Sequence, residues 1–135
     1  MAHWLVKSEA DAYGWDRFVA EGGTEWDGVR NPAAAGHLRH MRTGDEVLYY
    51  HSGAEKRIVG VARVAREARP DGEAGKWVSV RLEPVRPLPR PLALADLRAE
   101  PDLSGMAMLR QSRLSVAPLT AEEWATVLRM AERPA

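Results

Sequence analysis

The sequence predicts a mixed α+β fold, a small curved β-barrel of about five to six strands with short helices on its periphery. Three observations carry this expectation. Five or so short runs of β-branched and aromatic residues are bounded by turn signals. Short helical stretches stand among them without the regular strand-helix alternation of a doubly wound sheet. The hydrophobic share of 45% and the charged share of 28% are those of an ordinary globular chain, and 135 residues suffice for one core, so a single domain over 1–135 is expected.

The elements follow in order. His3 to Ser8 (HWLVKS) has strand composition and ends at a polar run. Asp11 to Ala20 places Trp15, Phe18 and Val19 at helical spacing, and Gly22-Gly23 stops it. Thr24 to Pro32 carries Asp-Gly and Asn-Pro turn signals and is expected to be irregular and partly exposed. Ala33 to Arg42 supports a short helix with Leu38 and Met41 inward. Thr43-Gly44-Asp45 turns into a buried strand, Glu46 to Ser52. Ile58 to Glu67 and Trp77 to Val85 alternate apolar and polar residues across a Pro70-Asp71-Gly72 turn, as adjacent antiparallel strands do, and Gly60 marks a bulge or a close approach. Arg86 to Pro91 holds three prolines in six residues and reads as a stiff edge crossing, followed by a short helix from Leu94 to Ala99. Arg113 to Val116 is a last short strand. Thr120 and Glu123 form a capping box for a final helix whose inward stripe is Trp124, Val127 and Leu128.

Composition narrows the chemistry. The chain has no cysteine, which excludes disulfides, thiolate metal sites and a cysteine nucleophile. No apolar run approaches the roughly 20 residues that span a bilayer, and MAHWLVKSEA lacks the layout of a secretory signal, so a cytoplasmic protein without a membrane partner is expected. Lys+Arg and Asp+Glu both number 19, balanced in each half of the chain. Any nucleic-acid contact should therefore be small and locally organised. Arginine outnumbers lysine 16 to 3, but the arginines are spread along the chain rather than clustered.

His37 and His40 stand at i, i+3, a chelating separation, with Asp45 or His51 as conceivable third ligands; no His-Glu-x-x-His pattern supports them, and a solvent-facing helix edge accounts for the pair. No Gly-x-Ser-x-Gly elbow, glycine-rich phosphate loop or convincing carboxylate pair occurs, so no enzyme class and no cofactor is implied.

What stands out lies within the first 52 residues: Lys7-Ser8-Glu9, Trp26 to Asn31 (WDGVRN) and Tyr50-His51-Ser52, each where a strand ends or a loop begins. Trp26 is flanked by charges and turn residues, which makes it a poorer core candidate than Trp77 or Trp124. An aromatic plane beside serine, asparagine and lysine donors suits a flat heterocycle. The alternative is that Trp26 plugs one end of the barrel while Arg30 and Asn31 tie down a loop.

These words, with Leu38-Arg39-x-Met41-Arg42-x-Gly44-Asp45, Ile58 to Val61, Met106-x-Met108-Leu109 and Arg113 to Trp124, resemble the EVE domain family over nearly the whole chain. The resemblance implies a PUA-like fold related to YTH domains, a non-catalytic role, and recognition of modified bases in nucleic acid, DNA before RNA; a monomer is expected. It implies that Lys7 and Ser8 line a pocket, that Trp26 stacks on the base, and that Val29, Arg30, Asn31, His51 and Ser52 supply rim and edge contacts. A pocket for a free nucleoside or other small heterocycle is the other expectation. The chain departs from the family pattern at Ala10, where proline is usual, and at Pro32 to Gly36, where a tyrosine, an arginine and an asparagine are usual.

Overall fold

A computed structural model of the chain describes residues 1–73 and 75–133. Six strands form one sheet in the order β2-β5-β4-β3-β1-β6. They are β1 (His3–Glu9), β2 (Thr24–Trp26), β3 (Glu46–Ser52), β4 (Arg57–Pro70), β5 (Val78–Ala93) and β6 (Val116–Leu119). The helices are α1 (Ala10–Tyr13), α2 (Trp15–Glu21), α3 (Pro32–His40), α4 (Leu94–Ala99), α5 (Ala107–Arg110) and α6 (Ala121–Glu132), with one 3-10 turn at Pro101–Leu103. No described helix is long and apolar enough to cross a membrane.

β1 and β3 run parallel near the middle of the sheet, Leu5 opposite Leu48 and Ser8 opposite His51, and the other neighbours are antiparallel. Strands covered on both faces read as continuous apolar runs, and Trp4-Leu5-Val6 and Val47 to Tyr50 are each buried without a break. The return from β1 to β3 passes through α1, α2, β2 and α3 and carries the chain to the far edge of the sheet.

The sheet is open, which corrects the expected barrel. Its edges are the three-residue β2 and the four-residue β6, and these two do not pair. Helix α3 packs against β4, β5 and β6, so it fills the space that a closing ladder would need. Short edge strands of this kind also limit edge-to-edge association.

Four element boundaries differ from expectation. Thr24–Trp26 is a strand rather than irregular chain, because its register sets Trp26 opposite Val80 and both side chains reach the core. The expected Asp11 to Ala20 helix is two helices broken at Gly14, and Val19 is 48% exposed rather than inward. The proline segment continues β5 instead of crossing an edge. Past Leu82 this strand pairs with β4 alone, and Pro84 and Pro87 stand at shifts of register, where the missing N–H groups cost nothing. Strand β6 begins at Val116, three residues later than expected.

Helix ends are satisfied as elementary chemistry demands. Asn31 caps α3, its side-chain oxygen accepting from Ala34 N–H at 2.9 Å, with Pro32 at the first helical position. Gly22, at φ 75°, closes α2 by donating to the Phe18 and Val19 carbonyls. Thr120 and Glu123 form the expected capping box of α6, and the Arg90 guanidinium donates to the Met130 and Arg133 carbonyls at its other end.

Two packing centres organise the interior. Tyr49 is fully buried among Trp15, Phe18 and Trp26, ring centroids 5.1–5.5 Å away, and its hydroxyl donates to the Tyr13 carbonyl at 2.6 Å. It pairs across the ladder with Gly60, whose missing side chain admits the Trp15 ring. Asp45 is the second centre: its carboxylate accepts from the Trp4 indole N–H at 3.0 Å and from the amides of Ala2 and Arg42. Burial pushes the Asp45 carboxyl up, but these donors and the N-terminal charge outweigh it and hold the group below its ordinary value.

A β-carbon at Gly60 would lie 2.5 Å from the Trp15 ring, so Gly60→Ala should cost about 1–3 kcal/mol in denaturant unfolding. Gly36→Ala, which meets nothing within 4 Å inside α3, should instead gain about 0.5–1 kcal/mol. Because the folded Asp45 carboxyl titrates below the unfolded one, its contribution is complete above the unfolded value of about 4 and is lost as the pH falls through the folded value. Asp45→Asn should therefore lower stability by about 1–3 kcal/mol at pH 7, and the difference from the parent should shrink below about pH 4 in acid-unfolding titrations.

Candidate base-binding cavity

At the end of β1, where β2 gives way to the loop 27–31, the chain forms an open cavity of about 440 Å³. This is room for one small planar ligand. Six of the eight residues singled out from the sequence line it: Lys7, Ser8, Trp26, Val29, Arg30 and Asn31. Tyr13, Thr24, Asp27 and Ser115 complete much of the wall.

Trp26 is 9% exposed and stands edge-on to Tyr49, with centroids 5.5 Å apart and planes 82° apart. The expectation that Trp77 and Trp124 are better buried holds for Trp124 alone. Trp77 precedes β5 and is half-buried beneath the Arg30 guanidinium, which lies 5.5 Å from its ring centre. Trp26 is thus a core residue that also forms part of the cavity wall.

The loop that follows Trp26 is strapped down. Asp71 Oδ2 accepts from the Gly28 amide and from Arg30, both at 2.9 Å, and Arg30 also donates to the Val29 carbonyl. These bonds, that from Arg30 first, hold the Asp71 carboxyl below its ordinary value. Arg30 is thereby committed to the rim. Asn31 is half committed: its oxygen caps α3, and its side-chain N–H₂ makes no bond among the described residues. Glu25, next to Trp26, is held on both oxygens by Arg66 and on one by the Ser79 hydroxyl.

Successive residues of β1 face opposite sides of the sheet. Ser8 lies on the face of Tyr49, whose phenol burial keeps neutral. The Lys7 ammonium goes the other way, donating to the Ser112 carbonyl at 3.0 Å and sitting 5.7 Å from the Tyr50 ring centre. Burial pulls its pKa down.

His51 and Ser52 are not brought to this cavity. His51 Nε2 accepts from the Trp15 amide at 3.0 Å, which assigns the proton to Nδ1, 3.0 Å from Glu55 Oε1. Nε2 thus seats α2 on β3 while Nδ1 is spent on Glu55 in the β3–β4 loop, and the ring borders a separate groove with Trp15 and Leu88. Ser52 lies on the far face with Tyr50 and Lys56. Among the described residues no three His, Asp or Glu side chains gather as metal ligands, His37 and His40 included.

Tyr13, Thr24 and Ser115 carried no signal as cavity residues in the sequence. Their approach depends on the broken helix at Gly14, on the unexpected strand β2, and on the pairing of β6 with β1, where Lys7 N–H donates to the Ser115 carbonyl at 3.0 Å.

The chain is 49% identical to Rpa0253 from Rhodopseudomonas palustris, whose solution structure it matches with a TM-score of 0.93 over 97% of this chain and 93% of that one. Thymocyte nuclear protein 1 from Homo sapiens is 33% identical over 98% of this chain and 75% of its own length. The crystal structure of that human protein in complex with 5-methylcytosine containing DNA matches at a TM-score of 0.91 with 30% identity, covering both chains completely. The YTH domain of Zygosaccharomyces rouxii MRB1, solved with N6-methyladenosine RNA, shares the fold at a TM-score of 0.63 and 15% identity over 99% of this chain and 88% of that one. The EVE domain model matches residues 2–130, and the chain belongs to the EVE family.

Proposed function

We propose that this chain is a non-catalytic reader that takes a modified base of DNA, a modified cytosine first, into the cavity beside Trp26. The observation that carries the proposal is a cavity of single-base size, with Trp26 in its wall, in a chain that superposes along its whole length on a relative solved with 5-methylcytosine containing DNA. Trp26 supplies a plane or edge for the base. The Ser8 and Thr24 hydroxyls, the Asn31 N–H₂ and the Asp27 carboxylate supply hydrogen-bond partners for its rim. A base enters such a cavity only when extruded from its stack, and a flipped base is the form in which one altered atom is most easily sensed. The same cavity suits a methylated base in RNA, which stands second. The proposal carries a monomeric single domain acting in the cytoplasm, without a cofactor.

A second reading, a pocket for a free nucleoside or other small heterocycle, is favoured by one feature. The chain has no net charge, and Arg30, the arginine at the cavity, is already bound to Asp71. Salt separates the two readings, because polymer binding weakens with salt in proportion to the phosphates neutralised and nucleoside binding does not.

Fluorescence anisotropy with short duplex and single-stranded oligonucleotides that differ in one 5-methylcytosine, at two salt concentrations, tests the proposal. The parent chain should prefer the modified strand. Trp26→Ala should lose that preference and weaken binding by about 1–3 kcal/mol, the worth of one stacked base. Since Trp26 is also core, Trp26→Phe serves as the folded control, with circular dichroism run on both; it should keep the fold and lose part of the preference. Equal affinity of the parent for modified and plain strands contradicts the proposal, as does full preference in a folded Trp26→Ala protein.

A further inference from the structure

Although the chain is neutral overall, its charges are not evenly compensated in space. Arg17, Arg42, Arg57, Arg63 and Arg66 pair with carboxylates. Lys7, Lys56, Arg98, Arg110 and Arg113 make no ion pair among the described residues, nor do Arg39, Lys76, Arg81, Arg86, Arg90 and Arg129, but the first five stand together. These five border two neighbouring hollows that share Ser112.

One hollow, of about 240 Å³, gathers Lys7, Lys56 and Arg98 with the hydroxyl-bearing Tyr50, Ser52 and Ser112, and no acidic residue lines it. Glu9, whose side chain lies near Gly53, lines the adjoining depression instead. The Lys7 ammonium spends one proton on the Ser112 carbonyl and keeps two donors. Burial pushes the Tyr50 phenol up and the Arg98 charge pulls it down, so the guanidinium lies within Coulomb reach of a phenol that stays a neutral donor. Lys56 is held at φ 48°, and it is the one non-glycine among the described residues in the left-handed region. Its carbonyl is pinned there by the Leu94 N–H at 2.8 Å. Glycine or asparagine fits that conformation with less strain, and the lysine in their place adds a cation to the hollow.

Two lysines, an arginine and three hydroxyls without a carboxylate make a donor set for a tetrahedral oxyanion. Lys7 also lines the cavity beside Trp26, and the second hollow, bordered by Arg110, Arg113 and Asn31, adjoins that cavity too. We infer that the Lys7, Lys56 and Arg98 hollow binds a phosphodiester of the strand whose base enters the cavity beside Trp26. The strand assignment rests on the base-binding reading above; the phosphate chemistry rests on the hollow alone. It accounts for how a chain of zero net charge holds a polyanion: the anchoring is confined to a few phosphates next to the flipped base.

The test uses the full chain, labelled with ¹⁵N, in two arms. In the first, inorganic phosphate is added at constant ionic strength. The amides of Gly53, Lys56 and Arg98 should shift with saturation, and Arg98→Gln should abolish the response. In the second, the salt dependence of oligonucleotide affinity is measured for the parent, Lys56→Gln and Arg98→Gln, both exposed positions whose replacement leaves the core untouched. Each variant should lose up to about fivefold in affinity, equally for modified and plain strands, with a salt slope smaller by about one. Unchanged slopes and affinities, with the preference for the modified base intact, overturn the phosphate site and leave the reader standing. A phosphate response in a chain that binds no oligonucleotide overturns the strand assignment and the reader together, while a free phosphorylated ligand keeps the hollow. No response in either arm overturns the site.

Discussion

The cross-strand pair of Tyr49 and Gly60 is the constraint on which the rest of the structure depends. A side chain at residue 60 would exclude the Trp15 ring; with none there, Trp15, Phe18 and Trp26 close around one phenol ring whose hydroxyl is bonded to the backbone of α1. Dense aromatic packing has few alternative arrangements. It therefore fixes the angle at which α1 and α2 leave β1, and with it the position of Tyr13 and the pose of Trp26. His51 completes the arrangement two residues further along β3, on the same face, with one nitrogen on α2 and the other on Glu55.

A cavity built this way is rigid on one side and adjustable on the other. Its inner wall belongs to the sheet: Ser8 at the end of a parallel strand, and Trp26 at the end of an edge strand locked in register with β5. Its outer wall is the loop 27–31, held by a single carboxylate, Asp71, from the β4–β5 turn. Exposed ion pairs of this kind contribute little to stability, so the rim can reorganise at low cost while the aromatic wall cannot. In the proposed reading, phosphate anchoring from the opposite face of β1 leaves the aromatic side free for the base, and one strand serves both hollows, Ser8 on one face and the Lys7 ammonium on the other.

Much of this was legible in the sequence. Element types followed from periodicity and turn chemistry, and the capping box at Thr120, the turn at Gly44-Asp45 and the inward Leu38 and Met41 stand as expected. What the sequence concealed was tertiary in origin. A three-residue strand such as Thr24–Trp26 has too little pattern to compete with the Asp-Gly and Asn-Pro signals beside it, and only its partner Val80 makes it a strand. The prolines of β5 read as breakers because a sequence does not show which backbone N–H groups face no neighbour. The candidate site was legible where motif words marked the ends of strands, in Lys7, Ser8 and Trp26 to Asn31. His51 shares the face of Ser8, but the word Tyr50-His51-Ser52 does not show that its ring is held by the Trp15 amide and Glu55, away from the cavity.

The central claim, that the cavity beside Trp26 receives the modified base, is most directly tested by following the indole N–H signals of the five tryptophans during titration with a 5-methylcytosine oligonucleotide. They report on separate regions: Trp26 on the cavity, Trp77 on its rim, Trp15 on the separate groove, and Trp4 and Trp124 on the Asp45 and α6 sides. The account predicts that Trp26 shifts most and saturates with binding, that Trp77 follows weakly, and that Trp124 and Trp4 stay where they are. Saturable binding that moves Trp15 or Trp124 while Trp26 stays unperturbed would contradict it.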